Sequence, residues 1–166
     1  MLKAIDVKKQ TVEEITEKLK NSTAAILVDY RGLKVEEITE LRRNFREAGV
    51  EYKVYKNTLM RMAAKNVGME ELVKDLVGPN AIALSYDDPV APARIAENFA
   101  KDHKKLELKV GIVEGAYYDE PKLKELANVP PREVLIAKLL GSLKAPVSNF
   151  AYLVKALAEK KEAEGA

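Results

Sequence analysis

Basic and polar side chains are interleaved with aromatic residues in the run Tyr-Lys-Val-Tyr-Lys-Asn-Thr-Leu-Met-Arg at positions 52–61. Lys53, Lys56 and Arg61 supply positive charge, and Asn57 and Thr58 supply uncharged donors. The run passes from a predicted strand into a predicted helix, with Asn57 as the expected N-cap. Fixed donors and the free N–H groups at a helix start together favour an anion. The run therefore predicts a phosphate-binding surface.

The same run also fits a plainer interpretation, a surface strand with solvated lysines that leads into an ordinary helix cap. Between Arg42 and Lys65 there are seven basic residues and two acidic ones, so this part of the chain is cationic. The Arg31-Gly32 turn would strengthen the binding interpretation if its strand neighboured the strand before Lys56. Charge alone leaves RNA, an acidic protein and no partner open.

Residues suited to catalysis or metal binding are few. The single histidine, His103, is predicted at a helix end, where a cation suits the helix dipole. The chain has no cysteine, which excludes disulfides and thiolate metal sites. Gly111 and Gly115 form neither a dinucleotide fingerprint nor a phosphate loop. The sequence thus predicts a protein that is not an enzyme and has no catalytic residue, cofactor or metal.

The candidate residues are positioned by alternating strands and helices, a pattern typical of an α/β (α+β) domain. We expect a globular domain at residues 1–129, with helices flanking a mixed sheet of about four strands. The predicted strands are residues 24–28, 50–56, 81–86 and 106–117, the last with a bend near Gly111 and Gly115.

The C-terminal segment, residues 130–166, has a helical apolar pattern. Its apolar residues recur at alternating spacings of four and three, at Ile136, Leu140, Leu143, Val147, Phe150, Val154 and Leu157. A helix over residues 132–162 would be roughly 45 Å long, whereas the domain before it would be about 35 Å across. We therefore expect a long helix that extends from the domain and whose apolar seam requires a partner.

The sequence also predicts a hinge in this segment and leaves other placements of the helix to consider. Gly141 and Pro146 indicate a hinge near residues 141–146, because proline lacks the N–H that would bond to the carbonyl of Ser142. The helix could instead fold back as part of the core. A helix lying on a membrane surface is disfavoured by the mixed charge of its polar face.

Composition places the chain among highly charged proteins, with a charged fraction of 33%, a hydrophobic fraction of 47% and a net charge of +2. No apolar run is long enough to span a membrane, and the first ten residues have no apolar stretch. We therefore expect a cytoplasmic protein without a membrane partner.

Five motifs in order resemble the bacterial large-subunit ribosomal protein ten family (L-ten), the base of the ribosomal stalk. They are Tyr30-Arg31-Gly32-Leu33, Leu41-Arg42, Lys56-Asn57-Thr58-Leu59, Gly78-Pro79 and the segment 126–130 that opens the long helix. The resemblance implies a ribonucleoprotein role in translation, in which the domain binds stalk-base ribosomal RNA beside ribosomal protein eleven. The matched motif residues are Arg31, Gly32, Lys56, Asn57 and Thr58; the cationic surface adds Lys53 and Arg61.

The resemblance also implies that the C-terminal helix anchors L-seven/L-twelve stalk dimers, which recruit translational GTPases. In the family each dimer uses about ten residues, so the resemblance implies two dimers on the length beyond Pro146, bound by Val147, Phe150, Leu153, Val154 and Leu157. Family members can also repress their own messenger RNA. The alternative hypothesis is a free regulatory RNA-binding protein whose tail self-associates as a coiled coil.

Overall fold

The computed structural model describes residues 4–163 and 165, which divide into two compact units between Val129 and Pro130. The first unit contains five strands and six helices, and the second is one helix. The strands are β1 (Ala24–Asp29), β2 (Glu51–Lys53), β3 (Asn80–Ser85), β4 (Glu107–Val113) and β5 (Ala116–Asp119). The helices are α1 (Ala4–Asn21), α2 (Val35–Glu47), α3 (Asn57–Val67), α4 (Glu70–Asp75), α5 (Ala91–Asp102), α6 (Glu120–Ala127) and α7 (Arg132–Ala163).

The five strands form one sheet in the order β2-β3-β1-β4-β5, and every neighbouring pair is antiparallel. The predicted class, a sheet flanked by helices and followed by a long helix, is confirmed. Two details differ, since the sheet has five strands rather than about four and is antiparallel rather than mixed. The segment predicted as one bent strand is a hairpin, because Glu114 and Gly115 both have positive φ, 51° and 80°, as tight hairpin turns require.

Alternating side chains of the sheet build a core on each of its faces. On β1, Ile26 and Val28 face the cluster that includes α2, α5 and α6. Ala25 and Leu27 face the cluster that includes α1, α3 and α4. β1 is buried over its whole length because it is the central strand with helices on both sides. The first unit is therefore a three-layer structure of helices, sheet and helices.

β2 is shorter than the predicted strand over residues 50–56. Only Glu51, Tyr52 and Lys53 pair with β3, because the chain then leaves the sheet to enter α3. Tyr52 stacks on Phe45 of α2, with 5.2 Å between ring centroids. Tyr55, beyond the strand, packs against the opposite cluster. The short strand thus places the start of α3 at the edge of the sheet.

α7 is one continuous helix of 32 residues that includes Pro146. Its large apolar side chains, from Val134 to Leu157, are 42% to 72% exposed. Within residues 4–163 and 165, no helix is both long enough and apolar enough to cross a membrane.

Candidate nucleic-acid interface

The turn after β1 lies beside the loop that leads into β3. The end of β1 pairs with the start of β3, Asp29 opposite Asn80. We call residues 76–80 the Gly78 loop. A Cβ atom built on Gly78 would lie 3.1 Å from Nη2 of Arg31, and the φ of Gly78 is +80°. Glycine therefore permits both the left-handed backbone and the close approach of Arg31.

The structure changes how Arg31-Gly32 reaches the other predicted residues. β1 and β2 are not neighbours, because β3 lies between them. The connection is made by the Gly78 loop, which contacts Arg31 from one side and α3 from the other. Arg31 and the start of α3 are therefore brought together by the loop before β3, and not by direct pairing of β1 with β2.

Side chains from two elements each donate to a successive carbonyl of the Gly78 loop. Arg61 Nη2 donates to Leu76 O at 2.7 Å, and Asn57 Nδ2 donates to Gly78 O at 2.8 Å, both from α3. Lys109 Nζ, on β4, donates to the intervening Val77 O at 2.7 Å. Consecutive carbonyls bonded in this way leave the loop little freedom.

α3 begins one residue earlier than predicted. Its N-cap is Lys56, and the first bonds of the helix run from the N–H groups of Leu59 and Met60 to Lys56 O, at 2.9 and 3.1 Å. The prediction of Asn57 as the N-cap is wrong, because Asn57 is already helical and its side-chain amide donates to Gly78 O. The N–H groups of Asn57 and Thr58 precede the first helical bond, so they remain suited to an anion.

Lys53 lies among carboxylates rather than at the Gly78 loop. Its Nζ is 3.1 Å from Glu51 Oε1 and 3.5 Å from Glu14 Oε1. Lys18 Nζ is 2.6 Å from the same Glu51 oxygen. Partial burial raises the pKa of Glu51, but hydrogen bonds from Lys18, Lys53 and Tyr86 outweigh it and hold that pKa below its usual value. Hydrogen bonding to Lys18 and Lys53 also lowers the pKa of Glu14.

The structure thus gathers Arg31, Asn57 and Arg61 around the Gly78 loop, with exposed Lys56 and Thr58 at the adjoining helix start. Gly32 follows Arg31 in the turn and contacts Lys105 rather than the loop. Sequence reasoning missed two lysines. Lys105 packs its aliphatic chain against Gly32, with Cδ 3.4 Å from a Cβ built there. Lys109 bonds to the Gly78 loop. A lysine inside the otherwise apolar run Leu108-Lys109-Val110 was the available signal for the second.

The five predicted docking residues of α7 are all exposed. Val147 is 72% exposed, Phe150 70%, Leu153 62%, Val154 50% and Leu157 58%. Four of them continue the seam. Leu153 lies about 40° around the helix from Leu157, at the edge of the seam, and widens it by that amount. Ser142, whose carbonyl would face Pro146, donates its own hydroxyl to Leu139 O at 2.8 Å. The helix is continuous at Gly141 and Pro146, and a hinge there stays a prediction.

Comparisons with known proteins match both units. A family model described as ribosomal protein L10 matches residues 3–101, and one described as the ribosomal protein uL10 C-terminal region matches residues 129–164. The chain is 69% identical to the large ribosomal subunit protein uL10 of Alkaliphilus oremlandii, over 99% of each chain. It is 71% identical to that of Alkaliphilus metalliredigens over 97% of each chain, and 66% identical to that of Clostridioides difficile over 99% of this chain and 98% of the relative. The chain therefore belongs to the uL10 family of large-subunit ribosomal proteins, which are structural proteins and not enzymes.

Proposed function

We propose that this chain is a structural constituent of the large ribosomal subunit. In this proposal the first unit binds stalk-base ribosomal RNA, and α7 anchors L-seven/L-twelve dimers. The supporting observation is that each unit matches its own part of the family, while the two units differ in what they expose. The first exposes Lys56 and Thr58 at the start of α3, and the second exposes apolar side chains.

The proposed RNA surface consists of the residues around the Gly78 loop and the start of α3, together with Lys53 at the end of β2. Its members are Arg31, Gly32, Lys53, Lys56, Asn57, Thr58 and Arg61. Lys56 and Thr58 are exposed beside the N–H groups of the first turn of α3, an arrangement that suits a phosphate. Lys53 is expected to contribute least, because its ammonium group already pairs with Glu51 and Glu14.

Salt dependence of binding tests this surface. With a transcript of the stalk-base region of large-subunit ribosomal RNA, replacing both Arg31 and Lys56 with Ala should weaken binding. It should also flatten the plot of log affinity against log salt by about 0.7 to 0.9 for each phosphate that the protein no longer neutralises. Replacing Arg43 and Lys122 with Ala removes the same charge from α2 and α6, which cover the other face of the sheet. An equal flattening in that control would place the RNA elsewhere.

The proposed docking surface is the apolar seam of α7 beyond Pro146. Exposed side chains of this size each forgo roughly 1.5 to 3 kcal/mol that burial would supply, so a partner that covers them gains affinity. Val147, Phe150, Leu153, Val154 and Leu157 are assigned to L-seven/L-twelve, with room for two dimers. Flexing at Gly141 to Pro146 would let the docked segment move.

Charged substitutions test the docking surface. Replacing Phe150 and Val154 with Asp should abolish binding of L-seven/L-twelve in a titration, because both carboxylates would be buried in the interface. Lys155→Asp is the control, since Lys155 is exposed about 100° around the helix from Val154 and is paired with Glu159 at 3.7 Å. Unchanged affinity in the double variant would refute the docking assignment.

The alternative is a free regulator whose α7 self-associates, and the spacing of the exposed seam also fits that function. Tyr152 favours the first proposal. It lies about 160° around the helix from Val154 and is 71% exposed, so a two-stranded coiled coil formed through the seam would leave its ring uncovered. Mass measurement of the isolated chain separates the two. A monomer is expected, whereas a stable homodimer would support the alternative.

The proposal extends to the surroundings implied by the family. We infer contact with ribosomal protein eleven at the stalk base, indirect recruitment of translational GTPases through the stalk dimers, location on ribosomes in the cytoplasm and repression of the chain's own messenger RNA. Purification of the chain from a cell lysate should recover the stalk protein and ribosomal RNA together. Recovery of its messenger RNA without ribosomal RNA would favour the regulatory alternative.

A further inference from the structure

The ammonium group of Lys109 lies among three oxygen atoms of the protein. Its Nζ lies 2.7 Å from Val77 O, 2.7 Å from Asn80 Oδ1 and 3.3 Å from Asp29 Oδ2. A lysine ammonium has three donors and no acceptor. Two of its three donors are therefore used in hydrogen bonds within the protein, and the Asp29 carboxylate pairs with its charge.

These acceptors belong to two different segments of the RNA surface. Val77 and Asn80 are in the Gly78 loop, and Asp29 ends β1. The other carboxylate oxygen of Asp29 accepts a hydrogen bond from the backbone N–H of Arg31 at 2.9 Å. Asp29 is thus ion-paired with Lys109 and hydrogen-bonded to the Arg31 turn at once. Through this pair, Lys109 connects the Gly78 loop to the Arg31 turn.

Partial burial strengthens this connection. The side chain of Lys109 is 24% exposed and that of Asp29 is 12% exposed. Water screens a pair at this depth less than a surface pair. The lysine charge is matched by the Asp29 carboxylate, so the pair adds no net charge to the surface.

We propose that Lys109 is a positioning residue of the RNA-binding surface, which fixes the Gly78 loop against the Arg31 turn without contacting phosphate. Asn57 and Arg61 complete the same function by bonding to the carbonyls on either side of Val77. Arg31 and Lys56 then make the phosphate contacts. This assignment rests on the proposed RNA-binding function. In it, Asn57, Arg61 and Lys109 hold the Gly78 loop in place.

The test compares two identical substitutions, Lys109→Met and Lys56→Met, in the full chain. With the stalk-base transcript, Lys109→Met should weaken binding by about tenfold, which corresponds to the loss of one charged hydrogen bond, and should change the salt slope less than Lys56→Met does, because no phosphate contact is lost. Lys56→Met should lower that slope by about 0.7 to 0.9, because it removes a phosphate contact. A slope change in Lys109→Met equal to that in Lys56→Met would overturn the proposal.

Hydrogen exchange of the free protein provides a readout that does not depend on RNA. The backbone amides of residues 77, 78 and 80 should exchange faster in Lys109→Met and at the unchanged rate in Lys56→Met. The amides of β1 serve as the internal reference for overall stability. Unchanged loop exchange in Lys109→Met would overturn the positioning function. If the loop exchange changes as expected but the unmodified chain does not bind the transcript, the RNA-binding function fails and the loop assignment stands.

Discussion

The two units of the chain differ in the exposure of their large apolar side chains, which are mostly buried in the first unit and exposed in α7. Phe45 in α2 is 0% exposed and stacks on Tyr52, whereas Phe150 in α7 is 70% exposed. In the first unit, helices on both faces of the sheet cover its apolar residues. In α7, the large apolar side chains from Val134 to Leu157 remain exposed along the helix. The first unit is therefore stabilised by its own core, and α7 carries the surface expected of a partner-binding element.

The polar groups differ in the same sense. In the first unit, lysine, arginine and asparagine side chains satisfy backbone carbonyls of the Gly78 loop and fix its shape. In α7, the backbone carbonyl of Ser142 lacks its usual helical donor, because Pro146 has no N–H. This difference is what we expect if, as proposed, the first unit presents a preorganised surface to RNA and α7 is an adaptable docking helix.

The largest effect should come from the matched substitutions Phe45→Ala and Phe150→Ala. Phe45→Ala should lower the free energy of unfolding of the first unit by about 3 to 5 kcal/mol, because it leaves a cavity in the core. Phe150→Ala should change it by less than about 0.5 kcal/mol, because the ring is exposed. Urea denaturation followed by circular dichroism measures both values. Similar losses would show that α7 stabilises the first unit.

A second prediction concerns Pro146→Ala. Alanine restores the N–H that can bond to Ser142 O, so this part of α7 should gain up to about 3 kcal/mol of helix stability. Amide exchange in residues 143–150 should slow, while the unfolding of the first unit stays unchanged. Exchange equal to that of the unmodified chain would contradict the predicted hinge.

A third prediction compares two glycines with similar backbone angles. Gly78 has φ of +80° and Gly68 has φ of +84°, so alanine at either position should cost about 1 to 2 kcal/mol of strain. Only at Gly78 does the new Cβ meet Arg31 Nη2, whereas nothing lies within 4 Å at Gly68. Gly78→Ala should therefore weaken transcript binding more than Gly68→Ala at equal stability loss. Equal weakening would make the Gly78 loop irrelevant to RNA.

The smallest effect should come from pH, through Glu51. Because its pKa in the folded protein lies below the usual 4.5, its stabilising contribution is present above pH 4.5 and is lost as the pH falls through the folded-state value. The free energy of unfolding should fall between pH 5 and pH 3, with about 1 kcal/mol or less due to this partly exposed carboxylate. Glu51→Gln should flatten that part of the curve. An unchanged curve would mean that the bonds from Lys18 and Lys53 contribute nothing.

Periodicity predicts the fold class and the long helix because both depend on local apolar spacing. It does not reveal the hairpin, since Glu114-Gly115 becomes a turn only through two positive φ angles. The residue type of Asn57 favours an N-cap, but its amide bonds to a carbonyl 21 residues away. The role of Lys109 depends on the antiparallel order that brings β1, β3 and β4 together. Such long-range contacts are not encoded in local spacing.

The independence of the two binding surfaces provides the most direct test of these assignments. The chain, the Arg31→Ala/Lys56→Ala variant and the Phe150→Asp/Val154→Asp variant should each be titrated with the stalk-base transcript and, separately, with L-seven/L-twelve. We predict that the first variant binds RNA more weakly and keeps full affinity for the stalk protein, and that the second shows the reverse. Weakened binding of both partners by either variant, or of neither, would contradict the assignment of RNA binding to the first unit and docking to α7.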